Sequence, residues 1–148
     1  MLKGISVLIS PELLGALASM GHGDDIVVVD SNFPASSVAA STVLRKPIQL
    51  PGLNSPAAVR AILSLLPLDT FVPDPFKRME VVGNPGEVLE IHREALAAAI
   101  EMEGRPLTLA SVERFAFYEL AKRSFAIVQA AETRPYGCFV LKKGIIIR

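Results

Sequence analysis

Four consecutive β-branched residues, Ile26-Val27-Val28-Val29, constrain this chain more than any other feature. Successive side chains of a strand point to opposite faces, so a run that is apolar at every position suits a strand covered on both sides. Asp30 ends the run and places a carboxylate at the strand's C-terminal edge. Open α/β sheets gather their ligands at such edges, which makes Asp30 a candidate binding residue from position alone. Hydrogen bonding to its own strand-end turn is the competing role.

The flanking sequence supplies the covering helices. Ser10-Pro11-Glu12 combines a capping hydroxyl, a proline suited to the first turn and an acid at the positive helix end. That helix is predicted to run to about Met20, with Gly21 ending it in a left-handed conformation. Ser55-Pro56 opens a second helix through Val59, Ile62, Leu63 and Leu66, stopped by Pro67. The SNFPASS stretch reads as irregular, and FVPDPF is too rich in proline for a central strand. A short strand is expected at Met79 to Val82, and a long helix at Glu87 to Glu103 closed by Arg105-Pro106. A strand follows from Leu107, then a short helix around Tyr118 to Lys122, and strands at Phe125–Val128 and Cys138–Leu141. This alternation predicts an α/β fold, a mixed sheet with helices on both faces. With no repeat or linker, residues 1–148 are expected to form a single domain.

Charge and composition narrow the partners. Fifteen basic and fifteen acidic residues balance, without a basic cluster to track phosphates, so nucleic acid is a disfavoured partner. A mean hydropathy of +0.42 in so small a domain leaves apolar surface to be covered, which predicts a homo-oligomer. The single cysteine, Cys138, rules out an intrachain disulfide and fits a reducing compartment. Pro11 and Glu12 interrupt the N-terminal apolar stretch before signal or membrane-span length, so a cytoplasmic protein with no membrane association is expected.

In Gly21-His22-Gly23-Asp24 the histidine sits between two glycines, where the backbone can bring an imidazole close to a ligand. Free imidazole titrates near pH ~6.5 and can both give and take protons. His22 is therefore a proton-transfer candidate or, equally, a solvent-facing turn residue. Asp30 could accept sugar hydroxyls or orient His22. Asn32 and Phe33 offer an amide and an apolar wall.

The segment from Glu113 to Glu119 holds Phe115, Phe117 and Tyr118 in a chain with only seven Phe and two Tyr. Arg114 and Tyr118 suit a sugar's hydroxyls and apolar ring face, whereas Phe115 and Phe117 read as core and Glu119 as solvated. Tyr136, ahead of Gly137 and the last strand, belongs either to the same pocket or to the core. His92 lies within a predicted helix and reads as structural or surface. Cys138 reads as a small buried side chain rather than a nucleophile. There is no GxGxxG fingerprint, P-loop or GxSxG elbow, and no metal-ligand spacing. Acid–base chemistry without a cofactor is what these residues can support.

Three blocks carry a resemblance: LKGISVLISPELLGALASMGHGDDIVVVDSNFP, RFAFYELAKRSFAIV and the terminal YGCFVLKKG. In this order they resemble the RbsD/FucU family of sugar mutarotases and pyranases. GHGD followed by Asp30-x-Asn32-Phe33-Pro34, with RFAFYE, is similar to the fucose branch. The resemblance implies an RbsD-like fold, no cofactor, and interconversion of the α and β anomers of L-fucose or a related monosaccharide. It implies His22 as proton donor and Asp30, Arg114, Tyr118, Tyr136, Gly137 and Cys138 as the sugar-binding set. It also implies a ring-like oligomer, often a decamer, in which neighbouring subunits complete each site. A D-ribose mutarotase or pyranase, or a non-catalytic sugar-binding protein, is the alternative on the same scaffold. Cys138 stands where the family commonly has asparagine, and Ser36 where some fucose-branch members have histidine.

Overall fold

The computed structural model describes residues 1–148. At its centre is β1 (Asp25–Val29), with Ile26, Val27, Val28 and Val29 wholly buried. Each such side chain contributes about 1.5–3 kcal/mol of burial. Five further strands complete one sheet: β2 (Ile48–Leu50), β3 (Phe76–Met79), β4 (Ala110–Val112), β5 (Ala126–Ala130) and β6 (Phe139–Lys142). The order is β2-β5-β1-β6-β3-β4. β1 is parallel to β5 and antiparallel to β6, and the sheet is mixed.

Strand alternation then sorts the two cores. Ile26 and Val28 face α1 (Pro11–Ser19), α3 (Ser55–Leu63) and α4 (Glu90–Glu103). Val27 and Val29 face α2 (Ala35–Ala39) and α5 (Arg114–Lys122). Helices cover both faces, as the unbroken apolar run requires. No helix is long and apolar enough to cross a membrane.

Several local expectations change. The helix α1 ends without a left-handed residue, because Met20 leaves it in an extended conformation. The positive φ belongs instead to Gly23, at +85°. Asn54, rather than Ser55, caps α3 by accepting from the Ala57 N–H, and α3 proper ends at Leu63. The strand expected at Met79 to Val82 lies at Phe76–Met79: the prolines of FVPDPF precede it, and Val81 pairs only with Asn84 across a tight turn. The long helix starts at Glu90 and is stopped by left-handed Gly104 rather than by Arg105-Pro106. α5 begins at Arg114 because the Glu113 carboxylate caps it, accepting from the Phe115 and Ala116 N–H groups. Two elements, α2 and β2, were not expected. α2 has no side-chain cap, and β2 is a three-residue edge strand with only two apolar positions.

His92 is wholly buried on α4, three residues inside the helix. Its Nδ1 accepts the Leu89 N–H at 3.1 Å, satisfying a donor at the helix start. Burial first, then the charge of Arg78, pushes His92 down to about 4. An unfolded chain takes this proton near 6.5 and the folded chain only near 4, so the unfolded state binds more protons across that window. The stabilisation is complete above about pH 6.5 and is lost as pH falls toward 4. Urea titrations at pH 7 and pH 4.5 should show an acid-induced loss on the order of 2 kcal/mol, allowing for residual screening, that is absent from His92→Gln.

Candidate functional site

The GHGD segment is a tight turn in which the Asp24 N–H bonds the Gly21 carbonyl at 3.2 Å and Gly23 takes the positive φ that a type II turn demands. Asp24 returns its carboxylate to the Gly21 N–H at 2.7 Å. His22 therefore projects from a stapled corner just before β1. Its Nε2 lies 3.1 Å from Asp69 Oδ1. A carboxylate only accepts, so this contact places the ring proton on Nε2 and leaves Nδ1 free for proton transfer. The Asp69 carboxyl is held below its usual range, first by the Phe71 N–H and also by His22. Asp69 is buried while the His22 side chain is 41% exposed, and the Phe71 ring packs 5.0 Å from the imidazole.

Asp69 had no local signature in sequence. The C-terminal segment brings it to His22: the Asp69 N–H bonds the Lys142 carbonyl, while Gly23 and Asp24 bond Lys143. Gly144 makes this approach possible, because a Cβ there would lie 2.7 Å from Asp69 Cα and from the Leu68 carbonyl oxygen. His22 opens onto a cavity of about 530 Å³ lined largely by apolar residues, including Leu14, Leu17, Ile145 and Ile146.

The remaining candidates lie at the other end of β1. Asp30, Asn32, Phe33, Met79, Arg114, Tyr118, Pro135, Tyr136 and Cys138 line a second cavity of about 250 Å³. The strand alone separates this cavity from the His22 turn by roughly 13 Å, at about 3.3 Å per residue. Asp30 consequently does not orient His22; Asp69 does. Asp30 Oδ1 accepts the Asn32 and Phe33 N–H groups, each at 3.0 Å, and Oδ2 lies 3.4 Å from the Cys138 sulfur. Burial, reinforced by the Asp30 charge, pushes the Cys138 thiol well above its usual range, so it stays protonated and donates to Asp30.

On α5, Arg114 Nε donates to the Tyr118 hydroxyl at 3.1 Å, and Tyr118 packs edge-on against Phe33. The two phenylalanines of this helix part company. Phe117 is core, whereas Phe115 is 66% exposed and lies under the Arg114 guanidinium, contrary to its expected burial. Tyr136 has a φ of +62°. Gly137 does not line the cavity: its carbonyl accepts the Ser55 hydroxyl, and a Cβ there would fall 2.8 Å from Glu132 Cγ. The buried Glu132 supports this turn. Against desolvation, which would raise it, hydrogen bonds from Arg134 and from the Ser55 N–H hold its carboxyl below the usual range. Ser36 lies on α2, outside both cavities. No cluster of three or more His, Cys, Asp and Glu side chains is arranged to hold a metal ion.

The molecule thus carries a hydrogen-bonded His22–Asp69 pair at one end of its central strand and a polar, aromatic-walled cavity at the other. Comparisons with known proteins identify the family. The chain is 45% identical over 151 residues to the fucose mutarotase of Homo sapiens, covering 98% of this chain and 94% of that protein. FucU from Bifidobacterium longum superposes with a TM-score of 0.89 at 36% identity, covering 98% of this chain and 100% of the other. A fucose mutarotase from Streptococcus pneumoniae, solved in complex with L-fucose, gives a TM-score of 0.85 at 39% identity, with 99% and 100% covered. The profile of the RbsD / FucU transport protein family matches residues 3–146, and the chain belongs to that family.

Proposed function

We propose that the protein is an L-fucose mutarotase, an isomerase that interconverts the α and β anomers by acid–base ring opening, with residues 1–148 as its one catalytic domain. The observation that carries this reading is the near-full-length similarity to proteins named fucose mutarotase, one of them solved with L-fucose. The cavity around Asp30 supports it. At about 250 Å³ it is on the scale of a single sugar ring, with carboxylate and guanidinium groups for hydroxyls and aromatic rings for the apolar face.

The two ends of β1 cannot meet on one sugar within a chain, so the reading requires a second copy. The His22–Asp69 dyad of one subunit covers the Asp30 cavity of its neighbour. The exposed apolar residues around the dyad, Ile145, Ile146 and Ile147, together with Leu2, Val7 and Leu8, supply surface for such an assembly. A closed ring, a decamer among the possible sizes, follows if the rotation between copies closes. A soluble, cytoplasmic location accords with this reading.

In the reaction, protonated His22 gives its Nδ1 proton to the ring oxygen while the anomeric hydroxyl loses its proton to an acceptor on the cavity side. The C–O ring bond breaks, the aldehyde rotates about the adjacent C–C bond, and reclosure returns both protons. Asp69 holds the imidazole through Nε2. Asp30 and Arg114 grip the hydroxyls, while Tyr118, Tyr136 and Phe33 wall the ring.

Saturation-transfer NMR on equilibrated sugars tests the assignment directly: L-fucose anomers should exchange well above the buffer rate. Exchange of D-ribose without L-fucose would transfer the reading to the ribose branch, and fucose binding without exchange would make this a binding protein. His22→Ala should lose roughly 100-fold or more of the exchange while retaining sugar binding, with Asp69→Asn between it and the parent. A complementation test addresses the second copy. His22→Ala and Asp30→Asn chains, each inactive alone, should recover about one quarter of parental activity when co-assembled at equal amounts, because one interface in four pairs two intact halves. No recovery in mixed assemblies would exclude a shared site.

A further inference from the structure

We propose that His92 is a positioning residue for the sugar cavity, fixing the Tyr136 ring in the cavity wall by holding that residue's carbonyl. The inference rests on the reading of the Tyr136 cavity as the sugar site. His92 lines neither cavity. Its hydrogen bonds nevertheless leave it one arrangement. Nδ1 accepts the Leu89 N–H, so Nδ1 carries no proton. The proton is on Nε2, which lies 3.1 Å from the Tyr136 carbonyl and donates to it. Phe139 packs edge-on against the imidazole, with centroids 6.1 Å apart and planes at 85°, which fixes the ring plane in which Nε2–H points.

Tyr136 needs to be held. It is one of two non-glycine residues with positive φ, a conformation that disfavours a side chain and persists where the surroundings impose it. Gly137 follows, and glycine gives the 136–137 peptide freedom to rotate. His92 bonds the carbonyl on that peptide. At the far end of the residue, the Tyr136 hydroxyl accepts the Val82 N–H at 3.3 Å. The β3–α4 connection and the first turn of α4 thus grip the tyrosine at both its backbone and its phenol. Loss of the backbone grip leaves the phenol contact, at the exposed surface, as the remaining restraint from this side.

The two imidazole nitrogens can be tested separately, because glutamine places an amide N–H near the Nε2 position and asparagine places an acceptor near Nδ1. His92→Gln keeps a donor for Tyr136, and His92→Asn keeps the acceptor for Leu89 but does not reach Tyr136. KM for L-fucose, measured by anomer exchange per folded protein, should rise about fivefold in His92→Asn, the scale of one lost neutral hydrogen bond. It should stay within about twofold of the parent in His92→Gln. Equal KM values in the two variants would overturn the proposal and leave His92 a purely structural residue.

A measurement on the parent covers the case in which either variant fails to fold. Nitrogen-15 NMR of the imidazole should show the Nε2–H tautomer, with a resonance that shifts when L-fucose saturates the site. An Nδ1–H tautomer, or a resonance indifferent to saturating fucose, would overturn it. The underlying site reading fails separately, if Tyr136→Ala leaves KM unchanged in a protein that is otherwise active.

Discussion

Burial of β1 on both faces is the constraint on which the rest of the molecule depends. Its four β-branched side chains divide evenly between the two cores, so neither layer of helices can be removed without exposing the middle of the sheet. Between Ile26 and Val29 the strand carries no polar side chain. The candidate site residues lie at its ends, where the chain turns: His22 before it and Asp30 after it. The distance between the His22–Asp69 pair and the Asp30 cavity is therefore set by the strand at the centre of the sheet.

The parts of this design that were legible in sequence are those written in contiguous residues. The apolar run gave β1, Ser10-Pro11-Glu12 gave the start of α1, and the glycines around His22 marked a turn. RFAFYE brought Arg114 and Tyr118 together because a helix places residues four apart on one face. Asp69 could not be found this way. It is 47 residues from His22, and the contact exists because the C-terminal segment crosses between them and Gly144 lets the backbones close. His92 was hidden for a similar reason, since the Tyr136 carbonyl it serves is 44 residues away. The two unexpected elements share another cause. α2 and β2 are short, weakly patterned and stabilised mainly by the layer they complete, so tertiary packing rather than local preference creates them.

The electrostatics of the cavity end depend on a chain of fixed hydrogen bonds rather than on ion pairing at Asp30. Two backbone N–H groups take one of its oxygens and a protonated thiol takes the other. The thiol is buried and soft, and it donates to a carboxylate whose negative charge in turn keeps it protonated. Cys138 thereby orients the carboxylate without adding a charge. Tyr136 reaches the same wall through a backbone that Glu132, Ser55 and His92 hold from the opposite face of the sheet.

The separation imposed by β1 has an arithmetical consequence. If the dyad of one copy completes the cavity of the next, active sites count junctions between copies rather than copies. A lone chain has none, an open row of n chains has n − 1, and a closed ring has n. Specific activity then becomes a measure of closure: it falls on dilution even while every chain remains folded, and it is highest when no chain has an unmatched end.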